Sequence, residues 1–214
     1  MNERLEQAAE SGDITALHQL IDESEKAAES GWSRLLKVKN CDFQTPLHIA
    51  ASAGHIQFAT EVMRLMLSFA RELNPDGFSP IHLALKNGHI ELVRQLLAID
   101  RDLVRVKGKE CITPLHYVVE IVDSHIDLLD IFLLVCPDSI ADVTVRDETA
   151  LHIALKNEQL EAFKFLVGWL GRNFFKNSSS NVKAILDQKD DEGNTVLHIT
   201  VSKNLNHVSF LSLH

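Results

Sequence analysis

The chain has 214 residues, of which 45% are hydrophobic and 24% are charged, as is ordinary for a soluble globular protein. Its formal net charge of −9 at pH 7 argues against nucleic acid or an anionic membrane surface as the main partner. The start, MNERLEQAAE, has no apolar core and is not a signal peptide, and the apolar run at 128–136 is too short to span a membrane.

The three cysteines, Cys41, Cys111 and Cys136, lie far apart in the chain and follow no metal-binding or disulfide spacing. This pattern is typical of reduced thiols, which persist in a reducing compartment. We therefore expect a cytoplasmic protein.

A four-residue signature recurs along the chain and predicts an array of structural repeats. It reads TPLH at 45–48, SPIH at 79–82, TPLH at 113–116, TALH at 149–152 and TVLH at 195–198. Consecutive copies start 34, 34, 36 and 46 residues apart. A period in the low thirties is typical of repeat proteins, in which each unit contacts only its neighbours.

The copy that begins at Ser79 indicates what each unit encodes. Ser79 is a good helix N-cap, and Pro80 suits the first helical position because its missing N–H needs no partner there. Apolar and small residues follow at helical spacing, then Gly88, then a second run of apolar residues three and four apart. Each unit is therefore predicted to be a helix–turn–helix, and the fold to be all-α.

From the N-terminus onward, the signatures divide the sequence into about six repeats. The first, 1–40, lacks the signature and has a polar first helix, as a terminal cap repeat needs. Its excess residues, at 22–37, are predicted to lengthen a helix and to add a loop. The second repeat, 41–74, and the third, 75–108, are regular.

The later repeats depart from the pattern. The fourth, 109–144, has two extra residues at its turn, so a bulge is expected there. In the fifth, 145–190, Glu158 replaces the turn glycine, which predicts a strained or wider turn, and an insertion at 168–187 is predicted to be a surface loop or a short helix. The sixth, 191–214, is incomplete, so we expect that the native polypeptide continues or that this is a truncated form.

The signature, the pairs Gly54-His55 and Gly88-His89 and a closing Leu pair resemble the ankyrin repeat, and the resemblance covers nearly the whole chain. It implies an all-α ankyrin-repeat solenoid of helix–turn–helix units with short finger loops. It also implies a function in binding other proteins, with no cofactor.

The stretches DGFSPIHLALKNGHIELV and TALHIALKNEQLEAFKFLVGWL are similar to plant ankyrin-repeat proteins that end in a membrane-spanning PGG domain. That family includes regulators of immune signalling, with the repeat array in the cytosol. The resemblance implies a scaffold or adaptor in plant defence signal transduction. This chain lacks the membrane part, so we expect no direct membrane insertion, and association with the cytosolic face of a membrane only through a C-terminal extension.

Other functions have less support. The five signature histidines occur once per repeat and cannot converge on one metal ion, so we interpret them as braces for the loops between repeats. Because the sequence has no G-x-S-x-G elbow, phosphate-binding loop or dinucleotide fingerprint, neither an enzyme nor a metal or cofactor site is predicted. Two alternatives stay open: a truncated family member that competes with a full-length membrane-anchored relative, and an enzyme with an unrecognised site.

The resemblance implies that a partner protein binds a concave face made by the fingers and by the outward side of each first helix. Phe43 and Phe78 are candidate anchors there, because aromatic side chains often carry interface energy, but packing on a neighbouring finger explains both equally well. The acidic finger tips favour a basic partner surface. The candidate finger-tip residues are Asp42, Phe43, Asp76, Phe78, Glu110, Cys111, Arg146, Asp147, Asp191 and Glu192, and the candidate first-helix residues are Ser52, Lys86, Glu120, Lys156 and Ser202.

Two substitutions follow from the predicted register. Leu115 is predicted to be buried, so Leu115→Asp should lower the free energy of unfolding by more than about 3 kcal/mol. Lys156 is predicted to face solvent, so Lys156→Ala should change that free energy by no more than about 0.5 kcal/mol.

Overall fold

The computed structural model describes residues 3–27, 44–121, 126–174 and 179–203, and every regular element in these ranges is a helix. The predicted all-α fold is confirmed. The α-helices of the described ranges are α1 (Glu3–Ser11), α2 (Ile14–Ala27), α3 (Pro46–Ala53), α4 (Ile56–Leu65), α5 (Pro80–Lys86), α6 (Ile90–Ile99), α7 (Pro114–Ile121), α8 (Ile126–Val135), α9 (Ala150–Lys156), α10 (Leu160–Phe174), α11 (Ser179–Leu186) and α12 (Val196–Ser202). Short 3-10 segments lie at Leu67–Arg71, Arg101–Arg105, Lys109–Cys111 and Pro137–Ala141.

The chain forms two compact units, Met1–Lys109 and Glu110–His214. In the first unit, the first helices of successive repeats (α1, α3 and α5) pack side by side, and the second helices (α2, α4 and α6) pack against them. In the second unit, α7, α9 and α12 are the first helices, while α8 and α10 pack against each other and α11 packs on α10. Each unit is therefore a two-layer stack of helix pairs.

The first helices are short because the sequence both starts and ends them. Helices α3 and α5 begin at Pro46 and Pro80, directly after the N-cap residues Thr45 and Ser79. Gly54 then ends α3 in the left-handed conformation, with φ of 78°. Helices of seven to nine residues are not stable alone, so packing against neighbouring repeats supplies their stability.

The buried face of the first helices repeats at fixed offsets. In the first four signatures, the third residue and the residues three and four positions later are almost wholly removed from solvent, whereas Leu197 and Val201 at the fifth are exposed. Because the same offsets are buried in four repeats, one sequence pattern encodes most of the core, and the predicted burial of Leu115 is confirmed. These residues are Leu47, Ala50 and Ala51 in α3, Ile81, Ala84 and Leu85 in α5, Leu115, Val118 and Val119 in α7, and Leu151, Ala154 and Leu155 in α9.

The turn between paired helices uses one residue in the left-handed conformation. Gly12, Gly54 and Gly88 have φ of 70°, 78° and 74°. Glu158 adopts φ of 60° at the corresponding position, where a side chain costs about 1–2 kcal/mol, so the predicted strained turn is confirmed. The bulge predicted for the fourth repeat falls at 122–125, outside the described residues.

The two predicted insertions are at least partly helical. Helix α2 continues to Ala27, as expected for a lengthened helix, and the rest of the 22–37 insertion lies outside the described residues. The 168–187 insertion contains the end of α10 and the whole of α11, which agrees with a short helix rather than a loop, and Val182 and Ile185 anchor α11 because they are buried. Among the described helices, none is long and apolar enough to cross a lipid bilayer.

Candidate functional site

The finger loops are shaped by a turn that recurs five residues before the N-cap. The side-chain oxygens of Asn74 and Asp190 accept backbone N–H groups from the residue four positions later, at 2.9 and 2.7 Å. Thr144 makes the corresponding, longer contact with the Glu148 N–H, at 3.4 Å. A left-handed residue completes each turn, namely Gly77, Asp147 and Gly193 with φ of 83°, 55° and 80°. These local hydrogen bonds give the fingers a defined shape.

Neighbouring fingers within each unit are joined by single backbone hydrogen bonds. In the first unit, Lys109 N–H donates to the Gly77 carbonyl at 2.8 Å. In the second unit, Val145 N–H donates to the Glu110 carbonyl at 3.0 Å, and Asp191 N–H donates to the Arg146 carbonyl at 2.9 Å. The tips predicted to contact a partner are therefore held at fixed spacing within their unit.

Three of the five signature histidines brace a finger, as predicted. Each of the five lies within 2.7 to 2.9 Å of the hydroxyl of its own N-cap residue through Nδ1. In three repeats Nε2 reaches carbonyl groups of the following finger: His48 those of Glu72 and Phe78 at 3.1 and 3.2 Å, His116 that of Asp142 at 3.1 Å, and His152 that of Asn194 at 3.3 Å.

This geometry defines the protonation state of the ring. A carbonyl only accepts, so Nε2 carries the proton and Nδ1 accepts from the N-cap residue. Burial lowers the pKa of His116 to about 4, although Asp142 and Glu148 oppose the shift. Burial also lowers the pKa of His152. His116 and His152 are therefore neutral hydrogen-bonding braces at physiological pH. Among the described residues, no group of three or more His, Cys, Asp or Glu is placed to hold a metal ion.

The finger at 109–111 departs from the others. Both Glu110 and Cys111 adopt positive φ, of 57° and 58°, although neither is a glycine. Gly108 occupies the position where Asn74 and Asp190 supply a capping oxygen, so this finger lacks the side-chain acceptor of the other turns. The strained tip presents the Glu110 side chain to solvent.

A cavity of about 230 Å³ lies in the second unit, between two fingers and the first helices α7 and α9. It brings together four of the candidate residues predicted from the sequence, namely Glu110, Glu120, Arg146 and Lys156. The first three are exposed and form no ion pair with another described residue, so their charges are open to a partner. The other lining residues are Ile112, Thr144, Glu148, Ile153 and Asn157.

Lys156 is not the solvent-facing residue that the sequence predicted. Its Nζ lies 2.6 Å from Glu148 Oε1 and 2.9 Å from Asp190 Oδ2, and the Asp190 side chain is fully buried. Burial would raise the pKa of Asp190, but the hydrogen bonds from Lys156 and from the Asn194 backbone hold it below its usual value. Lys156 thus compensates a buried carboxylate. Although Lys156 lines the cavity, its amine also stabilises the contact between α9 and the next finger.

Three candidate residues of the first unit, namely Ser52, Phe78 and Lys86, also contact other described residues. Lys86 Nζ lies 4.8 Å from the centre of the half-buried Phe78 ring, a cation–π arrangement that leaves Phe78 only partly available as an anchor. The Ser52 carbonyl accepts hydrogen bonds from the side chains of Asn87 and His89, both at 3.0 Å, so this position links two repeats.

The remaining candidates are distributed along the fingers. Asp76, Asp147, Asp191 and Glu192 are exposed and Cys111 is half-buried, but none of them lines the cavity. Asp42 and Phe43 lie outside the described residues. Ser202 ends α12 and donates to the Ile199 carbonyl at 2.9 Å.

Sequence reasoning missed several residues of the cavity and its support. Glu148 and Asp190 were not chosen, although the finger register could have found both: Glu148 directly precedes an N-cap, and Asp190 stands five residues before the next one. The half-buried Ile112 and Ile153 carried no comparable signal, because isolated apolar residues near loops are common.

Comparison with known proteins supports the repeat fold. Residues 5–107 match the family model for ankyrin repeats, in three copies, so this part of the chain carries ankyrin repeats. No curated protein matches the sequence significantly. The fold is similar to a chain in the solved structure of the Bd0816 predatory endopeptidase from Bdellovibrio bacteriovorus in complex with immunity protein Bd3460, with a TM-score of 0.63 and 19% identity over 96% of this chain and 94% of that chain. At this identity the likeness shows the fold alone.

Proposed function

Since the chain carries ankyrin repeats, we propose that it is a protein-binding scaffold and that its second unit binds a partner at the cavity between the fingers and the first helices. The single observation that carries this proposal is that cavity. Four residues chosen from the sequence as partner-contacting lie around it, although they come from two fingers and two helices.

The construction of the cavity suits protein recognition. Half-buried Ile112 and Ile153 supply apolar surface, and exposed Glu110, Glu120 and Arg146 supply polar groups around it. Protein interfaces commonly combine an apolar centre with a polar rim. Because finger turns and inter-finger hydrogen bonds already order the backbone, less conformational entropy is lost on binding than a flexible loop would lose.

The biological setting is proposed from the sequence resemblance. The stretches similar to plant ankyrin-repeat proteins with a PGG domain support a role as an adaptor in plant defence signalling. In that setting the repeats act in the cytosol, at the face of a membrane if the native chain carries a membrane domain.

Affinity capture from plant extract tests both parts of the proposal, namely the binding site at the cavity and the setting in plant defence. The bait is the full chain, compared with a Glu110→Lys, Glu120→Lys variant in which the two exposed cavity acids are reversed. The matched control is Asp127→Lys, Asp130→Lys, which reverses two exposed acids on the second helix α8 of the same unit. All three proteins are checked by circular dichroism, because surface substitutions should leave the helical content unchanged.

We expect a partner that is held by the unsubstituted chain and by the α8 control but lost with the cavity variant. Its identification by mass spectrometry as an immune-signalling component would support the biological setting. Equal capture by all three baits would move the binding site away from the cavity. A partner from an unrelated pathway would remove the plant-defence part of the proposal while keeping the scaffold role.

A further inference from the structure

We propose that the cavity of the second unit recognises an arginine side chain in an extended segment of the partner protein. This inference rests on the proposed function, because it names the chemistry of the partner at the same site. It follows from the charges that remain uncompensated in the cavity, from its apolar walls and from its size.

The uncompensated charge of the cavity is acidic on balance, because Glu110 and Glu120 outnumber Arg146. Glu148, Lys156 and Asp190 form one cluster in which the Lys156 amine lies within 2.6 and 2.9 Å of the two carboxylates. Asp190 Oδ2 is buried, and the Lys156 amine at 2.9 Å is the cation that compensates its charge. Lys156 is therefore not free to neutralise Glu110 or Glu120.

Glu110 and Glu120 consequently face the cavity without a cationic partner among the described residues. They come from different elements, a finger and the end of α7, so a ligand between them meets carboxylates from two directions. A guanidinium group carries five donors in a planar fork and can bond to more than one carboxylate, which a single ammonium does less well.

The apolar walls and the size fit one long side chain. Ile112 and Ile153 are half-buried in the lining and would contact the aliphatic part of an arginine, whose stem packs on apolar surface while its charged end stays polar. The volume of about 230 Å³ is below that of pockets that enclose cofactors or drug-sized ligands. A side chain that projects from a partner segment is therefore the better match.

Arg146 limits the number of basic residues in the partner segment that carries that arginine. Its exposed guanidinium lines the same cavity and forms no ion pair with a described residue, so it offsets one of the two acidic charges and leaves a net negative charge that one cation balances and a second exceeds. The favoured segment has an isolated arginine rather than a polybasic run. An anionic ligand such as a phosphorylated peptide would meet Arg146 but also the carboxylates of Glu110 and Glu120, which disfavour it.

A nuclear magnetic resonance titration tests the inference with defined probes. The full chain, labelled with ¹⁵N, is titrated with Nα-acetyl-arginine amide, and amide shifts are followed. The controls are Nα-acetyl-citrulline amide, which has nearly the same shape without the charge, Nα-acetyl-lysine amide and inorganic phosphate. Glu110→Gln, Glu120→Gln is compared with Asp127→Asn, Asp130→Asn, which neutralises two acids of α8.

We expect saturating shifts for the arginine probe at the fingers 109–112 and 144–148 and at the end of α7, with millimolar affinity because one side chain supplies only part of an interface. Binding should be at least about tenfold weaker for citrulline and for the cavity variant, and unchanged in the α8 variant. Equal binding of lysine or citrulline, preferred binding of phosphate, shifts elsewhere, or no shifts would each overturn the inference.

The two proposals fail in distinguishable ways. If the Glu110→Lys, Glu120→Lys bait loses its partner but the titration shows no preference for arginine, the scaffold role stands and the arginine inference is wrong. If the arginine probe binds as expected but capture is unaffected by the cavity variant, the cavity is an arginine site that the captured partner does not use.

Discussion

Lys86 and Lys156 occupy the same place in their repeats, seven residues after the N-cap, yet their surroundings differ. Lys86 is exposed and lies over the Phe78 ring, whereas Lys156 contacts the carboxylates of Glu148 and Asp190. The difference follows from the residues in register, because Phe78 and Glu148 both directly precede an N-cap. A lysine at one repeat position is thus a surface charge in one copy and the counter-ion of a buried carboxylate in another.

This contrast corrects the stability prediction made from the sequence. Lys156→Ala should lower the free energy of unfolding by about 3 kcal/mol rather than by less than about 0.5 kcal/mol, because it leaves the buried Asp190 carboxylate without its cation. Urea denaturation at pH 7 measures the effect. Lys86→Ala is the matched control and should cost no more than about 1 kcal/mol, the scale of an exposed cation–π contact.

The double substitution Lys156→Ala, Asp190→Asn separates the charge effect from lost packing. The Asp190→Asn change removes the buried negative charge, so the double variant should be more stable than Lys156→Ala alone. The amide oxygen of the introduced asparagine could still accept the backbone N–H groups of Glu192 and Asn194. Equal stability of the single and double variants would show that the ion pair is not the cause.

At the scale of the element, the helix–turn–helix depends on the left-handed turn residue and on what surrounds it. Gly54 and Gly88 have nearly the same φ, of 78° and 74°. A Cβ atom added at Gly54 would lie 2.5 Å from Nδ1 of the His89 ring, whereas at Gly88 it would have no described heavy atom within 4 Å. The two glycines therefore share a conformational requirement but differ in the space available.

We accordingly expect Gly54→Ala to destabilise the chain more than Gly88→Ala. Gly88→Ala should cost about 1 kcal/mol from backbone strain alone. Gly54→Ala adds displacement of the His89 ring, whose Nε2 lies 3.0 Å from the Ser52 carbonyl. Thermal unfolding followed by circular dichroism measures both, and equal costs would mean that the His89 ring moves aside freely.

The same turn predicts a stabilising change. Glu158→Gly removes a side chain from a left-handed position and should raise the free energy of unfolding by about 0.5–1 kcal/mol, even though Glu158 forms an exposed ion pair with Lys203 at 3.3 Å. Glu161→Gly is the control, because the same replacement in the first turn of α10 removes a helix-favouring acidic residue and its ion pair with Lys164 and should lower stability by about 0.5–1 kcal/mol. A loss of stability in Glu158→Gly would assign the main role to the ion pair.

At the scale of the molecule, three of the signature histidines, His48, His116 and His152, link their repeat to the finger that follows it. In the second unit, His116 and His152 hold carbonyl groups that lie 26 and 42 residues further along the chain. In the neutral rings Nδ1 accepts a hydrogen bond from the N-cap residue. Protonation at low pH makes Nδ1 a donor, so this hydrogen bond is lost and a charge is buried. Acid should therefore loosen the stacking of the second unit.

The expected pH dependence has a definite sign. The pKa of His116 is about 4 when folded and near 6.5 when unfolded, so between these values the unfolded chain binds more protons and stability falls as pH falls. Complete titration would cost on the order of 3 kcal/mol from this histidine, and His152 shifts in the same direction. Urea denaturation between pH 7.5 and 5 measures the slope.

His116→Gln isolates the contribution of one ring. This variant should be less stable at pH 7.5 because a buried hydrogen bond is lost, but its stability should fall less steeply toward pH 5. His198→Gln, at an exposed signature position, should leave the slope nearly unchanged. Parallel slopes for the unsubstituted chain and His116→Gln would show that other groups govern the acid sensitivity.

The features that depend on short-range chemistry could be predicted from the amino-acid sequence alone. The Thr or Ser caps, the proline starts, the turn glycines and the apolar spacing act within one repeat. They were therefore enough to predict the all-α fold, the buried position of Leu115 and the strained turn at Glu158. Four candidate residues of the cavity were also found, because finger tips and outward helix positions keep a constant register.

The contacts between side chains of different repeats required the folded chain. Lys156 and Asp190 lie 34 residues apart in the chain, and their contact depends on how one finger stacks on the next helix. A repeat pattern places each residue on a face but leaves the direction and partner of a long side chain undetermined. For that physical reason the ion-paired state of Lys156, the engagement of Ser52 and Phe78, and the shared cavity of Glu110 and Glu120 emerged only from the packed repeats.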